Sequence, residues 1–260
     1  MLRMTTILVL LVSMAVIARA EIVTKTIEYK HGDVTLKGYL AYDDKVETPR
    51  PGVIVVHEWW GLTEHMKKMT RDVAALGYVA FAVDMYGEGV TTDQTEKAAE
   101  LAGGIRKDLQ TYRDRAKAGY ETLAKMDIVN RSHIAAIGFC FGGTTVLNMA
   151  YSGLPLAGVV SFHGSLVAPE GEDLTRIKAR ILVLHGADDP LVSPESIKAF
   201  HEGMRKAKAD WQMMYYGGAV HSFTNPTADK TGIPGVKYDA KTDKRARQAM
   251  KDFFDEIFAD

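Results

Sequence analysis

Gly138-Phe139-Cys140-Phe141-Gly142 sets a cysteine midway between two glycines. This is the G-x-S-x-G spacing with sulfur in place of oxygen, a sharp strand-to-helix turn that lifts one nucleophilic side chain above a sheet. The flanking glycines are needed because a Cβ at either place would collide where the strand and helix backbones approach. A helix N-terminus behind the turn favours negative charge on a thiolate or on an oxyanion formed by its attack. The chemistry predicted is acyl transfer through a covalent intermediate on Cys140, which requires a base, an acid that orients the base, and donors for the oxyanion. His221, after Gly217-Gly218-Ala219-Val220, is the candidate base. Asp189, in His185-Gly186-Ala187-Asp188-Asp189-Pro190-Leu191-Val192, is the preferred orienting acid, with Asp188 as its competitor. In His57-Glu58-Trp59-Trp60-Gly61, the backbone N–H of Trp59 would join that of Phe141 in an oxyanion hole. Glu58 beside a thiol could hold its proton at rest or serve as an extra base.

Elements of alternating type must position these groups. Ile22 to Tyr29 and Val34 to Tyr42 alternate apolar and polar around His31-Gly32-Asp33, which predicts an antiparallel hairpin at a sheet edge. Val53–Val56, Val79–Val83, the run from Ile134 into the elbow, Leu156–Phe162, Ile181–Leu184 and Trp211–Tyr216 read as further strands. Helical spacing occupies Met66–Leu76, Thr91–Met126 (as two helices parted at Gly103-Gly104), the segment after the elbow, a segment capped by Ser193-Pro194, and Lys241–Phe258. Strands alternating with helices predict an α/β fold: a doubly wound, mostly parallel sheet with an N-terminal antiparallel hairpin and helices on both faces. Cys140, Asp189, His221 and Glu58 all follow strand ends, where open sheets of this kind carry their sites. The order nucleophile, acid, histidine is that of an α/β-hydrolase.

Composition narrows the setting. Arg3, the apolar run Ile7–Ile17 and Ala18-Arg19-Ala20 form a secretory signal peptide over residues 1–20, leaving residues 21–260 as a single domain. Losing Arg3 and Arg19 takes the formal charge from −1 to about −3, with no basic or acidic block, so neither nucleic acid nor a membrane is expected as partner. A small-molecule ester or lactone is the expected partner, and a monomer the expected state. Cys140 is the only cysteine, so an exported chain has no internal disulfide to make. His57, His163, His185 and His221 end strands, but none shows close ligand spacing, so no metal and no cofactor are expected. Other readings of the pattern are a periplasmic binding or thiol-sensing protein on the same fold, and a thioesterase or acyltransferase.

From Val53 to Phe223 the chain resembles the dienelactone hydrolase family, the carboxymethylenebutenolidases. The resemblance rests on Val56-His57-Glu58-Trp59-Trp60-Gly61, Asp84-Met85-Tyr86, Gly138-Phe139-Cys140-Phe141-Gly142-Gly143, the Asp189 loop and His221-Ser222-Phe223. It implies a Cys140-His221-Asp189 triad, with Glu58 taking the thiol proton only when substrate binds. Such gating would also shield a lone thiol from oxidation. Two arginines that grip a substrate carboxylate in the family are missing: one position falls in Gly87-Glu88-Gly89, the other at Asn225. Without those bidentate cations, and with Glu88 repelling an acid if it faces the pocket, a neutral or apolar substrate is expected. Trp60, Tyr86, Met85, His163 and Phe223 are candidates for the pocket lining.

When the full chain is expressed in an exporting bacterium, intact mass should show a mature protein beginning at Glu21. Retention of the first twenty residues would show an anchor instead.

Overall fold

A computed structural model describes residues 21–45 and 48–259; the expected signal peptide lies outside them. The expected hairpin is β1 (Ile22–His31) and β2 (Val34–Asp43), paired antiparallel with His31 opposite Val34. The chain continues through β3 (Arg50–Val56), α1 (Glu64–Ala74), β4 (Val79–Val83), α2 (Thr95–Arg106) and α3 (Leu109–Ala124). Then come β5 (Val129–Phe139), α4 (Phe141–Tyr151), β6 (Gly158–Phe162), a single turn α5 (Asp173–Arg176) and β7 (Arg180–Gly186). It ends with α6 (Pro194–Ala207), β8 (Trp211–Tyr216), a 3-10 turn (Ala228–Thr231) and α7 (Ala240–Ile257).

The strands form one sheet in the order β1-β2-β4-β3-β5-β6-β7-β8, parallel from β4 through β8 and antiparallel at the hairpin end. After β3 the chain pairs first to one side, as β4, and then returns to the other side, as β5. That reversal leaves a crevice at the carboxyl ends of β3 and β5, the usual place for a ligand in open α/β sheets. Glu58 follows β3 there and Cys140 follows β5.

The runs Val53–Val56 of β3 and Val79–Val83 of β4 are apolar at every position because both faces are covered. Ile54 and Val56 join one core with Tyr112 and Leu123 of α3, Val146 of α4 and Phe200 of α6. Their neighbours Val53 and Val55 join the other, with Met66 and Met69 of α1 and Phe253 and Phe254 of α7. The strand's two-residue period thus sorts one run of valines and isoleucines into two helix layers. No helix among the described residues is long and apolar enough to cross a membrane.

One expected boundary is corrected. Gly103 and Gly104 lie inside α2, and the break between α2 and α3 falls at Lys107-Asp108. Asp108 accepts hydrogen bonds from the backbone of Gln110 and Thr111, so a new N-cap, rather than the glycine pair, restarts the helix. Neither glycine has an atom within 4 Å of where a Cβ would stand. Gly103→Ala should therefore raise the stability measured by urea unfolding by about 1 kcal/mol, the helix-propensity difference. A loss of stability would contradict a helical backbone at this position.

Candidate active site

The elbow holds Cys140 at φ 53° and ψ −111°, outside the regions that L-residues prefer. Such backbone costs about 1–3 kcal/mol and survives only where its surroundings over-determine it. A Cβ on Gly138 would overlap the Gly142 carbonyl, and one on Gly142 would stand 2.7 Å from the His57 carbonyl oxygen. The Cys140 N–H donates to two acceptors, Phe162 O at 3.0 Å and His163 Nδ1 at 3.1 Å. Thr144 N donates to Cys140 O at 3.3 Å and starts α4. Phe141, its first residue, presents an N–H with no partner inside the helix.

His221 enters from the loop after β8, and its Nδ1 lies 2.8 Å from Asp189 Oδ2. Both residues are buried. The other Asp189 oxygen accepts from Leu191 N at 2.9 Å, which orients the carboxylate. Asp188, the competing acid, instead accepts from Gly218 N at 3.1 Å near the surface. With Nδ1 occupied, Nε2 is the nitrogen of His221 left for Cys140, which is close enough to act on the charge of the imidazole. Burial depresses the His221 pKa, but the charge and hydrogen bond of Cys140, together with Asp189, outweigh it and push the value up to about 10.

Glu58 is 2% exposed, and its carboxyl is held by Asn225 Nδ2 at 2.7 Å and Ser222 Oγ at 3.2 Å. Burial raises its pKa against the opposing pull of Asn225, His221 and Ser222. Both holding residues come from the His221 loop, and Ser222 sits at φ 56°. His221 and the two residues that hold Glu58 therefore come from one strained segment.

The loop behind Glu58 is tied down by bonds that the sequence does not reveal, from His57, Tyr86 and Asp84. His57 Nε2 accepts Met85 N–H at 3.2 Å, which puts the ring proton on Nδ1, 2.5 Å from Glu58 O. Tyr86 OH donates to Trp59 O at 2.8 Å and fixes the Trp59–Trp60 peptide, while the His57 bond to Glu58 O fixes the peptide that carries the Trp59 N–H. Burial pushes the Tyr86 phenol far above its usual range, so it remains a donor. Asp84 accepts from the backbone N–H groups of Lys37, Tyr86, Gly87 and Gly89 at 2.8–3.0 Å, knotting the loop that carries Tyr86. The signal was present in Asp84-Met85-Tyr86-Gly87, an acid followed by turn residues.

The pocket candidates separate. Trp60 is half-buried and joins Asn225, His65, Thr92 and Lys230 around a cleft of about 360 Å³. A second cleft, of about 410 Å³, lies between Arg106, Tyr112, Thr144 and Ser165. His163, Phe223 and Met85 are fully buried and pack behind the site instead of lining it. Glu88 faces away as well: its carboxylate pairs with Lys37 at 3.2 Å, and the turn is set by its φ of 53°. It cannot repel a substrate from there. His57, His163 and His221 are bonded to separate partners, and no three metal-binding side chains converge among the described residues.

Sheet order, elbow and crevice define an α/β-hydrolase. The sequence profile of the dienelactone hydrolase family matches residues 36–258, and the chain belongs to that family. It is accordingly a hydrolase of ester or lactone bonds. Among curated relatives, protein usf of Aquifex pyrophilus is 30% identical, the match covering 82% of this chain and 93% of that one. Among solved structures, a dienelactone hydrolase-like promiscuous phosphotriesterase from metagenomic libraries is 41% identical with a TM-score of 0.88, over 91% of this chain and 98% of the other. The dienelactone hydrolase of Anabaena variabilis shares the fold at 18% identity, with a TM-score of 0.63 over 88% and 98% of the two chains.

Glu58 gives a signed pH prediction. Its folded pKa lies above the ordinary 4.5, so the native state binds the extra proton and stability falls as pH rises through the interval between the two values. Glu58→Gln should remove that slope in urea unfolding between pH 4.5 and 8 while lowering kcat/KM. An unchanged slope would place the titrating group elsewhere.

Proposed function

We propose that this chain opens a carboxylic ester or lactone through an acyl intermediate on Cys140. The observation that carries the proposal is the 2.8 Å His221–Asp189 bond beside a cysteine held on a strained elbow. The Cys140 sulfur bonds to the carbonyl carbon while its proton resides on His221. The oxyanion takes hydrogen bonds from the N–H groups of Phe141 and Trp59. Collapse breaks the C–O bond, and His221 returns the proton to the departing oxygen. Water, deprotonated by His221, then cleaves the thioester and releases the acid. Asp189 keeps the imidazole in the required tautomer throughout.

Glu58 acts as the gate: held by Asn225 and Ser222, its carboxylate takes the thiol proton when a substrate enters and passes it to His221. The two arginine positions are filled by Asn225, bonded to Glu58, and Glu88, bonded to Lys37. The preferred substrate is therefore neutral near the reacting carbonyl. A neutral phosphotriester is a second substrate class, supported by the activity named for the 41% identical metagenomic structure. Residues 1–20, read as a secretory signal, support a location in the periplasm or the medium.

Stopped-flow hydrolysis of a neutral 4-nitrophenyl ester should show a burst equal to the enzyme concentration, with the acyl mass on Cys140. Cys140→Ala should lose at least about 10³-fold in kcat, and a carboxylated dienelactone should be turned over poorly. An adduct elsewhere, or an active Ala variant, would remove the nucleophile assignment and favour a binding protein.

A further inference from the structure

One buried titratable group has no part in those steps. His163 follows β6, is wholly buried, and adopts φ 39°, a left-handed backbone that few non-glycine residues accept. Its Nδ1 accepts the Cys140 N–H at 3.1 Å, so this nitrogen carries no proton. Its Nε2 then bears the hydrogen and donates to Thr224 Oγ1 at 2.8 Å. Burial, and next the charge of His221, hold the His163 pKa well below its usual range, so the ring stays neutral.

Thr224 lies three residues beyond His221, in the same loop. The His163 ring also packs edge-on against His221, with centroids 5.3 Å apart, and against Phe223 at 5.0 Å. One rigid five-membered ring therefore bonds the nucleophile's own backbone at one end and the base's loop at the other.

We propose that His163 is a positioning residue that sets the separation of Cys140 and His221 by bridging the elbow to the histidine loop. It touches no reacting atom. It acts by restraining the strained Cys140 peptide, whose other acceptor, Phe162 O, only continues the sheet ladder. A misplacement of the nucleophile of about 1 Å costs about 100-fold in rate. The proposal rests on Cys140 being the nucleophile.

Three variants separate bridging from packing. His163→Asn keeps an acceptor near the Nδ1 position and tolerates positive φ. His163→Leu removes both bonds, and Thr224→Val cuts only the distal one. Each is compared with wild type by kcat and KM on a neutral aryl ester, the rate of Cys140 alkylation by iodoacetamide, and the unfolding midpoint. His163→Leu should lower kcat and alkylation together by about 100-fold, with KM within about twofold. His163→Asn should recover at least about tenfold of that loss, and Thr224→Val should fall about tenfold in both rates without a matching change in midpoint. Equal impairment of the Asn and Leu variants, losses that track the midpoint, or wild-type rates in Thr224→Val would overturn the proposal. Should the Leu variant not fold, the Asn and Val variants decide by the same criteria. The wild-type acyl adduct tests the nucleophile separately: an adduct away from Cys140 defeats that assignment, whereas the alkylation rates report on the bridge alone.

Discussion

The close approach of three backbones at Gly138 and Gly142 governs the rest of the structure. The end of β5, the start of α4 and the end of β3 meet with no room for a Cβ, and the chain must turn there within one residue. Cys140 is that residue, and its φ of 53° is the geometric consequence. The turn puts sulfur above the sheet at the point where strand order reverses, so the crevice and the thiol coincide. Strain recurs in the neighbours that hold it, at φ 39° for His163 and 56° for Ser222. Packing on both faces of the sheet sustains these conformations, since the strands beneath are closed to solvent.

Charge at the site is divided by hydrogen-bond geometry. His57 and His163 each accept a backbone N–H, which requires an unprotonated nitrogen, and burial lowers the pKa of both. His221 instead has Asp189 on one side and Cys140 on the other, and its pKa rises. Three histidines within one crevice thus divide into two fixed struts and one group that can exchange a proton. Glu58, buried and bonded only by neutral donors, is held towards its protonated form. A low-dielectric interior amplifies these differences, because each partner counts for more where water is excluded.

Much of this was legible in the residues. Apolar runs at Val53–Val56 and Val79–Val83 read as doubly covered strands, and the structure has them so. The elbow was marked by its glycines, and Asp189 and His221 by their place after strands. What escaped was decided by tertiary contacts. Gly103-Gly104 looks like a stop locally, yet the next helix begins where Asp108 can cap it. Glu88 fell at a position associated with substrate binding, but a positive-φ turn directs it to Lys37. His163 looked like a polar residue at a pocket mouth; only the loop after β8, some sixty residues on, supplies Thr224 to enclose it.

The bond from Asn225 to Glu58 spans 167 positions in sequence, and that from Ser222 spans 164. Contacts of such range form late, once the intervening sheet has closed its loops. Until then Glu58 is solvated and ionised like any surface carboxylate, and Cys140 has neither imidazole nor bridge beside it. The thiol is therefore an ordinary cysteine for most of the chain's passage from synthesis to the native state. His221, Ser222 and Asn225 all come from the loop after β8. Assembly of the site thus waits on long-range contacts, and a chain arrested with β8 undocked would carry the thiol without His221, Ser222 or Asn225 in place.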